Sequence, residues 1–160
     1  MKLNLGSHHD HQNGFLSVDM AESTNPDILC DIEKGIPVDD SSVSEIKAFM
    51  ILEHIDDIIF VMNEIHRILQ PNGTIDIIVP HDSSAMAHAD PTHKRIYNEE
   101  SFGYFCSDWH GGLDGESNHY RMHEAYGITA NFKMLHQSYT IDRRHGKLTM
   151  LLDSDVSGAP

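Results

Sequence analysis

The sequence predicts an α/β fold: a mostly parallel sheet with shortened crossovers, finished by a C-terminal antiparallel hairpin. Three observations carry that reading. Short apolar or β-branched runs at residues 3–5, 15–19, 27–31, 44–49 and 74–80 alternate with polar stretches. One strong helical repeat, through Ile55, Ile58, Ile59, Met62, Ile65 and Leu69, lies between the last two runs. Two alternating segments, 131–141 and 147–152, flank Arg143-Arg144-His145-Gly146. Strands interleaved with loops or a helix favour parallel pairing through crossovers. A short turn between alternating runs favours a hairpin.

Taken in order, Leu3 to Leu5 is a short buried strand that ends at Gly6. Residues 7–14 are polar, with turn residues at both ends, and read as a loop. Phe15 to Asp19 is a second strand with a carboxylate at its end, and Asp27 to Asp31 a third. The links between these three are too short for full helices, so the helix layer is reduced. Residues 35–42 form a turn region before the strand at 44–49. In the helix that follows, Asp56 and Asp57 occupy the first turn, where the macrodipole favours negative charge, and Pro71-Asn72-Gly73 ends the segment. Residues 81–92 show no period. A short helix is expected over 99–105 with Asn98 as its cap. Residues 109–119 read as a long Gly-rich loop. The organisation is one domain over 1–152 and a small polar tail over 153–160.

The whole-chain numbers limit the function classes. The 160 residues suit one domain with a real core. A net charge of -14 repels phosphate backbones, so tight nucleic-acid binding is not expected. No apolar run reaches the roughly 20 residues of a membrane helix. The start has neither an h-region nor a small-residue cleavage site, so no signal peptide is expected. Cys30 and Cys106 make no CxxC pair and no disulfide framework. They read as free thiols of a reducing, cytoplasmic protein.

Several segments together resemble one family. Leu3-Asn4-Leu5-Gly6-Ser7 with Gly14-Phe15-Leu16-Ser17-Val18-Asp19 is similar to the opening of small class I S-adenosylmethionine (SAM)-dependent methyltransferases of the type 11 kind. Asp31 with residues 36–43, and Ile51-Leu52-Glu53-His54-Ile55 before a helix that ends Arg67-Ile68-Leu69-Gln70-Pro71-Asn72-Gly73, continue the likeness. Asp90-Pro91-Thr92-His93 and Glu100-Ser101-Phe102 resemble a sub-family of predicted methyltransferases. The likeness covers about residues 1–105. It implies a doubly wound, class I methyltransferase-like sheet, SAM as cofactor, and a small-molecule or protein methyl acceptor. It also implies a cofactor site at Leu5, Gly6, Ser7, Asp19, Met20, Asp31, Ile32 and Met50.

Those positions also make physical sense. A doubly wound sheet holds its ligand outside the carboxyl ends of its strands. Gly6 lets backbone approach a ligand there. Asp19 is placed to accept from two ribose hydroxyls, and Asp31 to accept from a purine amine. The family opening is acidic-x-Gly-x-Gly-x-Gly. Here Asn4 stands at the acidic position, and Ser7-His8-His9-Asp10-His11 follows the single Gly6. The methionine end of SAM is therefore the half of the site in question. The N-terminal helices that often cover the substrate in this family are not expected from this sequence, so the site is expected to be open or closed by a second subunit, as in a homodimer.

Methyl transfer from a sulfonium needs in-line positioning and, for a protonated acceptor, a base. His54, and His93 oriented by Asp90, are the candidate catalytic residues, and His81 is another imidazole in reach. Glu53 is expected to be buried and hydrogen-bonded behind the site. Trp109, Tyr104 and Phe105 read as core aromatics before an acceptor wall. Thirteen histidines, with His8, His9 and His11 in one loop and His81, His88 and His93 in another, raise a metal question. Loop spacing constrains ligands too poorly to assign a metal. Three functions follow: SAM-dependent methyl transfer; a methyltransferase-like binding or assembly protein without catalysis; and, more weakly, a metal-dependent enzyme built on the histidine loops.

Overall fold

The computed structural model describes residues 1–109 and 123–154. Among the described residues the sheet has seven strands: β1 (Lys2–Leu5), β2 (Leu16–Asp19), β3 (Ile28–Leu29), β4 (Val43–Phe49), β5 (Leu69–Pro80), β6 (Lys133–Tyr139) and β7 (Lys147–Asp153). Their spatial order is β3-β2-β1-β4-β5-β7-β6. β1 to β5 pair in parallel, while β7 runs antiparallel to both β5 and β6. The order reverses beside β1, which places a switch-point crevice at the carboxyl ends of β1 and β4. The predicted fold class is the observed one.

Register explains where the core lies. Leu3 pairs with Ile46, Ile46 with Ile75, and Ile75 with Leu152, and all four are buried. Leu5, Ala48, Ile77 and Met150 form the next buried row. The intervening row, Lys47, Asp76 and Leu151, points to the other face and is only partly buried, because side chains alternate along a strand. Burial pushes the Asp76 carboxyl above its usual range, opposed by the Lys47 charge.

The helix α1 (Ile58–Ile68) lays Ile58, Val61, Met62, Ile65 and Ile68 on the apolar face of the sheet. Asp57 is its N-cap, accepting from Phe60 N at 3.0 Å. Asp57 thus caps the helix from just outside, and Asp56, paired with Lys94, precedes it instead of sitting in its first turn. Leu69 is already strand, so Pro71-Asn72-Gly73 lies inside β5. Asn72 adopts a φ of 62° there, and pairing with β4 shifts register between Val43 and Glu45.

The missing crossovers are short 3-10 turns, at Glu22–Thr24 and Ile32–Lys34, with a third at Leu52–His54. Between β1 and β2 the chain folds over the second face. Asn4 Nδ2 donates to Asp10 O at 2.9 Å, Lys47 Nζ donates to Gln12 Oε1, and Lys47 lies 4.4 Å from the Phe15 ring centroid. Asp27 ties β2 to the loop before β3 by accepting from Ser17 N at 2.8 Å and Ser17 Oγ at 2.7 Å.

Other expectations need correction. The aperiodic stretch after β5 contains α2 (Ala85–Ala89), capped by Ser84 Oγ accepting from Met86 N. No helix spans 99–105. Asn98 Oδ1 accepts from Glu100 N, and only Gly103–Phe105 winds, as a 3-10 turn. A further short helix, α3 (His123–Tyr126), precedes the hairpin. Phe105 is buried, and Trp109 packs so closely on Gly103 that an added Cβ there would lie 2.2 Å from its ring. The aromatics therefore serve packing. Cys30 and Cys106 are free thiols. The long loop expected over 109–119 lies outside the described residues after Trp109. The first two residues of the expected tail belong to the folded domain. Asp153 is in β7, and Ser154 is buried with its Oγ donating to Gln70 O at 2.7 Å. Among the described residues, no helix is long and apolar enough to cross a membrane.

Candidate functional site

Two adjoining cavities open at the carboxyl ends of the strands. The first, of about 350 Å³, is lined by Gly6, Asp19, Met20, Asp31, Ile32 and Met50 among others. Its size falls in the range of small-ligand clefts, about 300–1,000 Å³. The second, of about 400 Å³, is lined by Met50, Glu53, His54, Met86, Ala89, Asp90 and His93. Met50 and His54 line both and so form the partition. Met50 holds a φ of 55°, rare for a side chain that is not glycine, and donates its N–H to Ile78 O at 2.7 Å.

Six of the eight positions expected at a cofactor site thus come together. Leu5 and Ser7 do not. Leu5 is fully buried in the apolar row beneath, and Ser7 is 3% exposed with its Oγ unpartnered, away from the cavity wall. Gly6 has a φ of 61°, and a Cβ would meet the Ile51 side chain at 2.6 Å. Its glycine character therefore answers to Ile51 before any ligand.

Asp19 closes β2. Its Oδ2 accepts from His8 N and its Oδ1 from Ala21 N, both at 2.8 Å. Asp19 lines the cavity, and each oxygen retains lone-pair capacity. Asp31 is more committed. Its carboxylate accepts from Glu33 N at 3.1 Å and pairs with Lys34 at 2.9 Å. The Lys34 ammonium holds that carboxyl below its usual range.

His54, Asp90 and His93 meet at the second cavity. The imidazoles of His54 and His93 sit edge to face with centroids 4.8 Å apart, and His93 Nε2 lies 3.9 Å from Asp90 Oδ2. Asp90 Oδ1 accepts from Thr92 Oγ1 at 2.6 Å, which holds its carboxyl below the usual range. Thr92 Oγ1 also lies 3.1 Å from His54 Nδ1. The loop carrying these residues is strapped to the turn at Leu52–His54. Lys94 N and Arg95 N both donate to Glu53 O, and Tyr97 OH donates to Leu52 O at 2.9 Å.

Glu53 is buried as expected, but neither carboxylate oxygen has a hydrogen-bond partner. Burial pushes this carboxyl above its usual range. His81 stands apart from the group, stacked on Tyr139 with its Nδ1 2.7 Å from Ser83 Oγ. Sequence reasoning missed the lining residues His8, Val18, Cys30, Glu33, Ile51 and Ile55. Ile51 had a signal, since it opens the Ile51-Leu52-Glu53-His54 segment. His8 had only its place in the altered loop.

A methyltransferase-domain family model matches residues 9–77. Comparison with curated proteins finds no match. Solved structures of the same fold include a proposed methyltransferase of Haloferax volcanii in complex with the Trm112 methyltransferase activator. It is 14% identical with a TM-score of 0.63, over 99% of this chain and 83% of that one. A SAM-dependent methyltransferase from Archaeoglobus fulgidus is 12% identical with a TM-score of 0.61, over 95% and 85%. The [4+2]-cyclase SpnF is 13% identical with a TM-score of 0.64, over 98% and 75%. Strand order and switch-point cavity define a class I methyltransferase fold. Fold and matched segment together make the chain similar to class I methyltransferases.

Proposed function

We propose that the chain binds SAM in the first cavity and directs its methyl group to an acceptor in the second. The observation that carries this is the pair of adjoining cavities divided by Met50 and His54, with Asp19 at the end of β2. The nucleoside half fits the residues present. Asp19 keeps one free acceptor position on each oxygen for ribose hydroxyls, and exposed Met20 and buried Ile32 offer apolar surface to a purine. Asp31 lines the purine end, with its carboxylate partly engaged by Lys34.

When bound, SAM supplies an electrophilic methyl on a sulfonium. The protein's own work is then positioning and proton handling. His54 stands at the border between the cavities, held by Thr92. His93 stands behind it with Asp90 alongside, so either imidazole is placed to accept an acceptor's proton. The acidic charge balance favours a neutral or cationic acceptor, a small molecule or a protein, over nucleic acid.

Calorimetry with S-adenosylhomocysteine tests the reading. Saturable one-to-one binding is expected. Asp19→Asn should weaken it by about 10–100-fold, since a hydrogen bond to a charged group contributes about 1.5–3 kcal/mol. No binding at millimolar ligand would refute it.

A second reading, a binding or assembly protein that keeps the fold without catalysis, is favoured by one observation. His8, with a φ of 46°, lines the cavity in the loop where the family has glycines. The Trm112 complex of the similar Haloferax protein and the cyclase of the same fold show that fold alone leaves the role open. In that case the cavity binds nucleoside weakly or not at all.

A further inference from the structure

We infer that Glu53, His54 and His93 bind a single divalent transition-metal ion at the wall of the second cavity. The inference goes beyond methyl transfer and stands whether or not the first cavity takes SAM; with the ion bound, both imidazoles serve as ligands and neither is left to accept a proton. Among the described residues, these three each offer one ligand atom, all within 4.8 Å of one another. Bonds of about 2.0–2.2 Å put two ligands of one ion about 3–4 Å apart, so side-chain adjustments of roughly an ångström complete the site.

The independent observation is Glu53. It is 1% exposed, it lines the cavity, and both of its carboxylate oxygens lack any hydrogen-bond partner. A buried carboxylate without a partner is rare and calls for an ion or an ordered group. The nearby side-chain cations are engaged elsewhere. Lys94 pairs with Asp56 at 3.1 Å, and Arg95 donates to the carbonyls of Ile55 and Asp56.

The histidines have the arrangement that metal-bound imidazoles adopt. His93 Nδ1 lies 3.2 Å from Ala87 O, and His54 Nδ1 lies 3.3 Å from Thr92 O. A ring whose Nδ1–H is donated to a carbonyl presents a bare Nε2 lone pair, the form a metal requires. Two imidazoles and one carboxylate suit zinc, iron(II) or manganese(II) and leave further coordination positions for water or an acceptor atom. The remaining histidine-rich loop, at His8, His9 and His11, takes no part in this group.

The test uses untagged full-length protein stripped with chelator and titrated with cobalt(II), read by its visible ligand-field absorption. One equivalent should bind, zinc should displace it, and the imidazole NMR signals of His54 and His93 should broaden with the paramagnetic ion. Glu53→Gln, which keeps the side chain's shape, and His93→Ala should each weaken binding at least about tenfold, the lower bound for losing even an outer-shell partner. The triple change His8→Ala, His9→Ala, His11→Ala should leave it intact. No cobalt spectrum in the wild type overturns the inference. So does a spectrum that survives in Glu53→Gln, or one lost in the triple variant. If a variant misfolds by circular dichroism, the broadening pattern in the wild type decides alone, and sparing of His54 and His93 refutes the site.

Discussion

Replacing Gly6 by alanine should cost the fold about 2–4 kcal/mol. Two effects add. The backbone φ of 61° is left-handed, which costs a residue with a Cβ about 1–2 kcal/mol. The new Cβ would sit 2.6, 2.7 and 2.8 Å from Cγ1, Cδ1 and Cβ of Ile51, and forcing a methyl into such space costs about 1–3 kcal/mol. The lower entropy of the unfolded alanine chain returns roughly 0.4–1 kcal/mol. Domains of this size lose about 2–4 °C of Tm per kcal/mol. Urea unfolding should thus show a lower midpoint at unchanged slope. The partner variant Ile51→Gly removes all three contacting atoms but not the φ. Adding Gly6→Ala to it should cost only the backbone share, about 1–2 kcal/mol, so the double-mutant cycle recovers the difference as coupling. A Gly6→Ala protein within about 0.5 kcal/mol of wild type would refute the steric reasoning. So would a cycle with no coupling.

Two further outcomes follow from local chemistry. Hydrogen bonds from the Ser17 hydroxyl and N–H hold the Asp27 carboxyl below its usual range, so its folded pKa is depressed. Stability from this contact is present above the unfolded value, about 3.9, and is lost as pH falls through the lower folded value. Asp27→Asn should therefore flatten the acid limb of a pH–stability curve, and an unchanged limb in acid unfolding refutes the role. Cys106 is fully buried, and burial pushes its thiol up, whereas Cys30 is partly exposed and raised less far by the same cause. A thiol-disulfide reagent should modify Cys30 in the native protein and reach Cys106 only on unfolding. Equal native rates would contradict the packing around Cys106.

The sheet was legible because its parallel strands are short runs of Leu, Ile and Val bounded by Gly, Asp and Pro. α1 was legible because its apolar positions repeat at helical spacing over three turns. What escaped has physical reasons. α2 spans only Ala85–Ala89, too few residues for a period to show. The expected helix after Asn98 fails because that side chain and Ser101 Oγ hold the local backbone in a turn, with Ser101 Oγ accepting from Asn98 N. Pro71 reads as a stop, yet the bulged register opposite Val43 accommodates it in β5.

The site was half legible. Asp19 and Asp31 could be placed from strand ends, and Met50 only through the family likeness. Leu5 could not be separated from its lining neighbour Gly6, because which side a strand-end residue faces depends on register. The approach of His93 to Glu53 rests on two backbone hydrogen bonds between distant segments, from Lys94 and Arg95 to one carbonyl. No local pattern encodes such a contact. The empty hydrogen-bonding capacity of Glu53 is likewise visible only once the chain is folded.

The two ends of the sheet have a consequence for the protein in concentrated solution. An edge strand with free backbone groups invites another chain to pair with it, which is how sheet proteins aggregate. Here one edge, β3, is only two residues long. The other, β6, skips a residue in its pairing with β7, between Met134 and His136, and begins with Lys133. A stub offers too few donors to template a strand, and a bulge bends the ladder away from straight extension while the lysine resists burial. The sheet thus limits its own growth at both margins, and the strong negative charge adds repulsion between molecules.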